Sequence, residues 1–388
     1  MDRISQSPTD PAFVANPYAF YDKARAAGDM FYWTDYDLPC AVTHRAVSAL
    51  LRDRRLGREA PPECAPTYPD FTRDFYALEA HSMLEVEPPR HTRLRGLVLR
   101  AFTSRRIAAM APEIETLCHS LIDAFPPGPF DLLTHYAQHV PVTVIARLLG
   151  VPDSTAPRLL DWSNRMVGMY QARATEAVQR DANAAAAEFR AFMVDYIAQR
   201  RVTPGNDLLT ELIAAEEDGE KLTTDELITT CILLLNAGHE ATVHTIGNGI
   251  KTLIEQGKPA IDETSVEEII RFDPPLHMFL RWVYEDVDLF GHTFRRGDRI
   301  ACLLAAANHD PAAYDAPATF NPARKGPQNT SFGAGIHFCV GAPLARLELV
   351  IALRTLMARL PALSLAEAPR YSNVYHFHGL QRLMVTAR

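Results

Sequence analysis

Phe332-Gly-Ala-Gly-Ile-His-Phe-Cys339-Val-Gly341, followed at once by Ala342-Pro-Leu-Ala-Arg-Leu-Glu348, is the stretch on which the reading of this chain turns. Its glycine-punctuated turn lets the backbone come close to something flat and holds one cysteine at the tip. Backbone N–H groups in such a turn donate to a thiolate and keep it ionised, and a helix opening near Gly341 adds its positive end. A thiolate presented this way is a strong axial ligand for haem iron. A buried structural cysteine beside a tight turn is the commoner fate of a lone cysteine, and only the length of the string weighs against it.

The rest of the chain narrows the class. Its 388 residues carry 47% hydrophobic and 22% charged side chains, an ordinary globular balance with ample chain for a core. A formal charge of -8 argues against a general nucleic-acid binder, which needs a basic face. The six cysteines (Cys40, Cys64, Cys118, Cys231, Cys302, Cys339) contain no C-x-x-C, so neither a zinc ribbon nor covalent haem attachment is indicated. Scattered thiols fit a reducing compartment. Met1 to Phe20 is polar and proline-punctuated rather than a leader, and no apolar run approaches the roughly 20 residues of a membrane span. The expectation is a cytoplasmic, monomeric protein with no membrane contact. No linker divides the chain, so residues 1–388 are read as a single domain.

Ala60–Pro69 reads as a loop, and the alanine-rich middle from about Ser104 to Ala215 as successive helices with stops at Gly150-Val-Pro152 and Pro204-Gly205. Strand-like runs are few: Phe31–Val42, then Val283–Phe290 with turns at Gly291 and Arg296-Gly297. The fold class is mainly α with a minor β region. One helix dominates. Thr223-Thr-Asp-Glu226 is a capping box, and the helical pattern runs on to about Ile254, roughly 45 Å at 1.5 Å per residue. Its apolar middle carries Asn236, His239, Glu240, Thr242, His244 and Thr245, polar groups that cost free energy when buried unless they have partners or a task. His239-Glu240 does not begin a zinc-protease motif, because the next histidine is at i+5 and Val243 occupies the ligand position.

With these residues in place, the chain resembles the cytochrome P450 family. The pattern F-G-x-G-x-H-x-C-x-G-x-x-L-A is met at every fixed position from Phe332 through Ala345, and further motifs follow the family's order over most of the chain. The resemblance implies the P450 fold, with haem b between the long central helix and the Cys339 loop and Cys339 as the metal ligand. It implies propionate contacts from His91, Arg95, Arg281 and His337, close backbone approach at Phe332, Gly333 and Gly341, and room over the haem at Ala237 and Gly238. It places Glu268 and Arg271 of Glu268-Ile-Ile-Arg271 with Arg324 of Phe320-Asn-Pro-Ala-Arg324 in a buried brace under the cysteine loop. Glu240 matches the proton-relay acid.

One departure stands out: the threonine that usually follows the acid is Ala241. Thr242 is about 100° further round the helix and Thr245, one turn along, is the better-placed hydroxyl, with ordered water or a substrate hydroxyl expected to complete the relay. The implied activity is a monooxygenase that uses O₂ and two electrons from NAD(P)H through a separate ferredoxin or flavodoxin and its reductase. Six arginines and no acid between Arg90 and Arg106 suggest where such a partner docks, with Arg100, Arg105 and Arg106 as the residues to neutralise. A peroxide-driven peroxygenase and a haem-based sensor without turnover are the alternatives, as is oxidation without oxygen insertion. The substrate is read as small and apolar or aromatic, from Met278, Phe279, Leu280 and Phe377, with His277 and His376 either orienting a polar group or lying exposed in loops.

Overall fold

The computed structural model describes residues 1–170, 174–217 and 222–387. The central helix spans Thr224–Glu255. Its start is fixed reciprocally: the Thr223 hydroxyl accepts from the Glu226 N–H at 3.2 Å, and the Glu226 carboxylate accepts from the Thr223 N–H at 2.8 Å. It ends where Lys258 and Gly257 adopt positive φ. Packed around it are the helices His139–Leu148, Ala156–Val167, Glu263–Phe272 and Ala342–Arg359. They bury most of its circumference in one large apolar cluster that includes Leu227, Cys231, Leu235, Ile246 and Leu253. One face alone stays accessible in mid-helix. Leu233, Ala237, Glu240, Ala241 and His244 lie along it at the spacing of a single helical stripe, while Thr242 and Thr245 are buried.

The β structure is a minor fraction, as expected. A six-stranded sheet has the order Arg3–Ile4, Met30–Trp33, Leu38–Ala41, Arg299–Leu303, Met278–Val283 and Leu56–Gly57. The run read as one strand over Phe31–Val42 is a hairpin, with Met30 opposite Ala41 and Trp33 opposite Leu38. Thr34-Asp-Tyr-Asp37 forms its turn, and Asp37 takes the left-handed conformation that aspartate tolerates. The strand expected from Val283 instead ends there, and Val287–Leu289 folds back on His292–Phe294 through Phe290 and Gly291, both with positive φ.

The strand Met278–Val283 sorts its side chains by the two-residue period. Met278 and Leu280 pack into an aromatic cluster with Phe13, Phe20 and Trp33. Phe279 packs with Ala334 of the cysteine loop in a separate cluster, and Arg281 shares its side of the strand. Among the described residues no helix is long and apolar enough to cross a membrane.

Candidate active site

The loop 332–341 is built as its glycines require. Gly333 and Gly335 both have φ +69°, a conformation a side chain would strain. Gly335 also needs its bareness for space, since a Cβ there would stand 2.5 Å from the Leu51 carbonyl oxygen. Gly335–His337 make one 3-10 turn, and the Cys339 N–H donates to the Phe332 carbonyl at 3.0 Å, closing the loop on itself. The helix Ala342–Arg359 starts immediately beyond. Burial pushes the Cys339 thiol up. The N–H groups of Gly341 and Ala342, with the guanidiniums of Arg95 and Arg346, pull the other way by stabilising the thiolate. Arg346 stacks over the Phe332 ring at 4.6 Å.

Basic side chains gather beside this loop. On the helix Arg90–Ala101, Arg95 donates from Nη2 to the Phe338 carbonyl at 2.6 Å. The His91 ring lies 4.3 Å from that of His337, and burial, ahead of His337 and Arg95, pushes His91 down to about 4. His337 Nε2 is 2.8 Å from Glu87 Oε1, the same oxygen that accepts the Arg58 N–H at 2.7 Å. Arg281 is 2% exposed, and among the described residues its one side-chain hydrogen bond is from Nη1 to the carbonyl of Leu280. Among the described residues no carboxylate forms an ion pair with it. A buried guanidinium without a counter-ion is costly. A haem carries two carboxylates, and Arg281, Arg95, His91 and His337 supply the charge and donors they require. The donor set therefore fits that cofactor.

On the accessible face of the central helix, Ala237 and Ala241 present only methyl groups. The missing side chain of Gly238 instead makes room for a neighbouring helix, since a Cβ there would meet Ile145 Cδ1 at 2.6 Å. Glu240 Oε1 lies 3.0 Å from His244 Nε2, and the Thr245 hydroxyl donates to the Ala241 carbonyl at 2.7 Å. Burial would raise the Glu240 carboxyl, and His244, followed by His239, holds it below its ordinary value.

The brace is bound on every side. Glu268 takes Arg271 Nε and Nη2 at 2.7 and 2.8 Å, the Asn321 N–H at 2.9 Å and Arg324 Nε at 3.1 Å. Arg271 also donates to the Asn308 carbonyl, and the Asn308 side chain bonds Thr330 and Ser331, the two residues before Phe332. Asn308 was invisible in the motifs, and its only signal was a polar residue closing the apolar run Cys302–Ala307. Arg58 and Glu87 had no signal at all.

Of the four residues read as substrate-facing, Phe279 lies against the cysteine loop, where a Cβ on Gly333 would be 3.4 Å from its ring. Met278 and Leu280 point into the aromatic cluster, and Phe377 is half-buried in the turn 375–379. His277 is neither a polar anchor nor exposed. It is fully buried, 2.7 Å from the Tyr21 hydroxyl and 3.0 Å from the Pro274 carbonyl. His376 is 3.1 Å from the Tyr36 hydroxyl. The arginine run is also less bare than its sequence: Arg93 pairs with Glu226, Arg106 with Glu211, and Arg90 approaches Glu59 at 3.9 Å.

Comparison with known proteins follows the same lines. The protein-family model described as Cytochrome P450 matches residues 57–258 and 262–365. A Biotin biosynthesis cytochrome P450 of Bacillus subtilis is 32% identical over 396 residues, covering 99% of each chain. Cytochrome P450 monooxygenase PikC of Streptomyces venezuelae is 35% identical over 373 residues, covering 92% of this chain and 87% of its own. Among solved structures, P450BioI in complex with an acyl carrier protein ligated to hexadec-9Z-enoic acid superimposes with a TM-score of 0.90 at 32% identity, covering 97% of this chain and 99% of that one.

Proposed function

The chain belongs to the cytochrome P450 family and is a monooxygenase of that family, and from that premise we propose that it oxidises a small, largely apolar organic substrate with O₂ and two electrons delivered by a separate ferredoxin or flavodoxin. Bound haem supplies the oxygen-activating chemistry. In this reading Cys339 ligates the iron, His91, Arg95, Arg281 and His337 hold the propionates, and Glu240 carries protons to the accessible face of the central helix. The observation that carries the cofactor assignment is the buried Arg281, which has no carboxylate of its own among the described residues. The substrate wall is assigned to that face, at Leu233, Ala237 and Ala241, rather than to Met278 and Leu280, which face the aromatic cluster.

The test is an optical titration of the ferric holoprotein against terpenes, benzoates, steroids, macrolides and fatty acids, the last both free and as acyl carrier protein thioesters. A low-spin thiolate spectrum that turns high-spin with one class is the expected result, since a ligand lying close to the iron displaces its water. Adding peroxide without reductase then separates the two modes of oxidation. Product formed only with NAD(P)H and a redox pair supports the proposal, and equal product from peroxide alone replaces it with a peroxygenase.

Docking of the electron donor makes a second prediction. Arg106 is already paired with Glu211, whereas Arg105 forms no ion pair among the described residues. Long-range steering by an unpaired charge weakens with ionic strength. Arg105→Gln should therefore flatten the salt dependence of the reduction rate more than Arg106→Gln does. Unchanged salt profiles in both would move the docking face elsewhere.

A further inference from the structure

The accessible face of the central helix brings together Ala237, Glu240, Ala241 and His244. Position 241 offers a methyl group where family members usually carry a hydroxyl. The neighbouring threonines do not replace it: Thr242 is buried away from the face, and Thr245 is buried with its proton committed to the Ala241 carbonyl. What meets Glu240 is imidazole. His244 Nε2 stands 3.0 Å from Oε1, and His239 Nδ1 stands 3.8 Å from Oε2. The two rings are not equivalent. His239 is 1% exposed, and burial drives it down to about 4, so it is neutral at pH 7 and too far for a good hydrogen bond. His244 keeps 14% of its side-chain surface accessible.

His244 is also seated by design of the opposing backbone. A Cβ on residue 379 would lie 1.9 Å from His244 Nδ1 and 2.3 Å from its Cγ, so the ring occupies space that only a glycine leaves free. Gly379 is not among the positive-φ glycines, so its bareness provides room rather than conformational freedom. Nδ1 is itself buried with no hydrogen-bond partner, which leaves Nε2 as the working nitrogen.

From this geometry we infer that His244 is the relay partner of Glu240, orienting its carboxylate and passing it a proton in place of the hydroxyl missing at 241. The inference rests on the monooxygenase reading above. In the step, the Nε2–H bond breaks and an H–Oε1 bond forms, leaving a neutral imidazole and a carboxylic acid. The acid releases that proton toward the accessible face, and the ring takes one H⁺ from bulk solvent, so each proton delivered is balanced by one drawn from solvent. His244 acts through Glu240 and is a positioning residue.

Two readouts test it on the ferric and turning-over holoenzyme. In infrared difference spectra, Glu240→Gln identifies the carboxyl signal. Wild type should show a carboxylate at neutral pH, and in His244→Phe the carboxyl band should titrate at higher pH than in wild type, because burial is then opposed by His239 alone. In turnover with the panel compound that shifts the spin state, His244→Gln keeps a donor to Oε1 but carries no proton. Product per NAD(P)H should fall about tenfold, less than the roughly 10²- to 10⁴-fold worth of a general acid because water substitutes in part. Adding Ala241→Thr to His244→Gln should restore coupling, and Gly379→Ala, which crowds the ring out, should lower it in the same direction. Wild-type coupling in His244→Gln together with an unshifted Glu240 carboxyl titration in His244→Phe would overturn the inference. Absence of the thiolate-type Soret band in the CO complex of reduced wild type would instead overturn the haem-thiolate reading beneath it.

Discussion

Cys339→Ser is expected to abolish the thiolate-type Soret band of the reduced CO complex and to reduce monooxygenase turnover to background, while Cys64→Ser leaves both intact. Six cysteines are present, and the environment separates one from the others. At Cys40, Cys118, Cys231 and Cys302 burial is the leading influence and pushes the thiol up, to about 11 at Cys118 and Cys302 and about 12 at Cys231. Cys302 feels the Arg281 guanidinium, but burial still outweighs it. Cys339 alone combines two backbone N–H donors from Gly341 and Ala342 with two guanidiniums, Arg95 and Arg346. These groups stabilise negative charge on sulfur before any metal arrives, and a coordinated cation completes the deprotonation. A serine hydroxyl at 339 meets the same donors but is far harder to ionise and gives up less electron density, so both spectrum and turnover should fail together. Retention of the thiolate band in Cys339→Ser would refute the ligand assignment.

Much of this site was legible because the loop and the long helix rest on local rules. Glycines at 333 and 335 are demanded by backbone conformation, and the capping box at Thr223–Glu226 fixes a helix start within one residue. What escaped depended on contacts between distant segments. Whether Phe279 or Leu280 faces the cysteine loop is a question of strand register, set by pairing with Arg299–Leu303, and a run of apolar residues reads the same in either register. Gly238 belongs to a helix–helix contact with Ile145, which no spacing within the central helix announces. The arginine run looked unbalanced because its acids, Glu211 and Glu226, come from helices more than a hundred residues away. His277 reads as a loop histidine until Tyr21 closes over it.

Glu268→Ala is expected to cost about 3–5 kcal/mol of stability, the range found when one partner of a buried ion pair is removed and the other charge is stranded. Here the loss strands two guanidiniums at once: Arg271 is buried with the 4% exposed carboxylate, and the Arg324 side chain is only 8% exposed. It also frees the Asn321 N–H, which has that carboxylate as its acceptor. The pair as such need not stabilise the fold, because taking both charges out of water offsets most of their attraction. Removing only one of them is what leaves the penalty uncompensated. The damage should reach beyond the brace. Arg271 holds the Asn308 carbonyl, Asn308 holds Thr330 and Ser331, and Ser331 donates to the Ile270 carbonyl, so the start of the cysteine loop is tied to the helix that carries Glu268. Denaturant unfolding of Glu268→Ala should show the lower midpoint, and its haem should be released more readily than from wild type. Asn308→Ala cuts the tie without stranding a charge, and should lose haem retention with a smaller fall in midpoint, about 1–3 kcal/mol for unsatisfied buried groups. If Glu268→Ala unfolds like wild type, the carboxylate is not the counter-charge for these arginines; if Asn308→Ala keeps its haem as firmly as wild type, the brace stabilises the fold without reaching the loop.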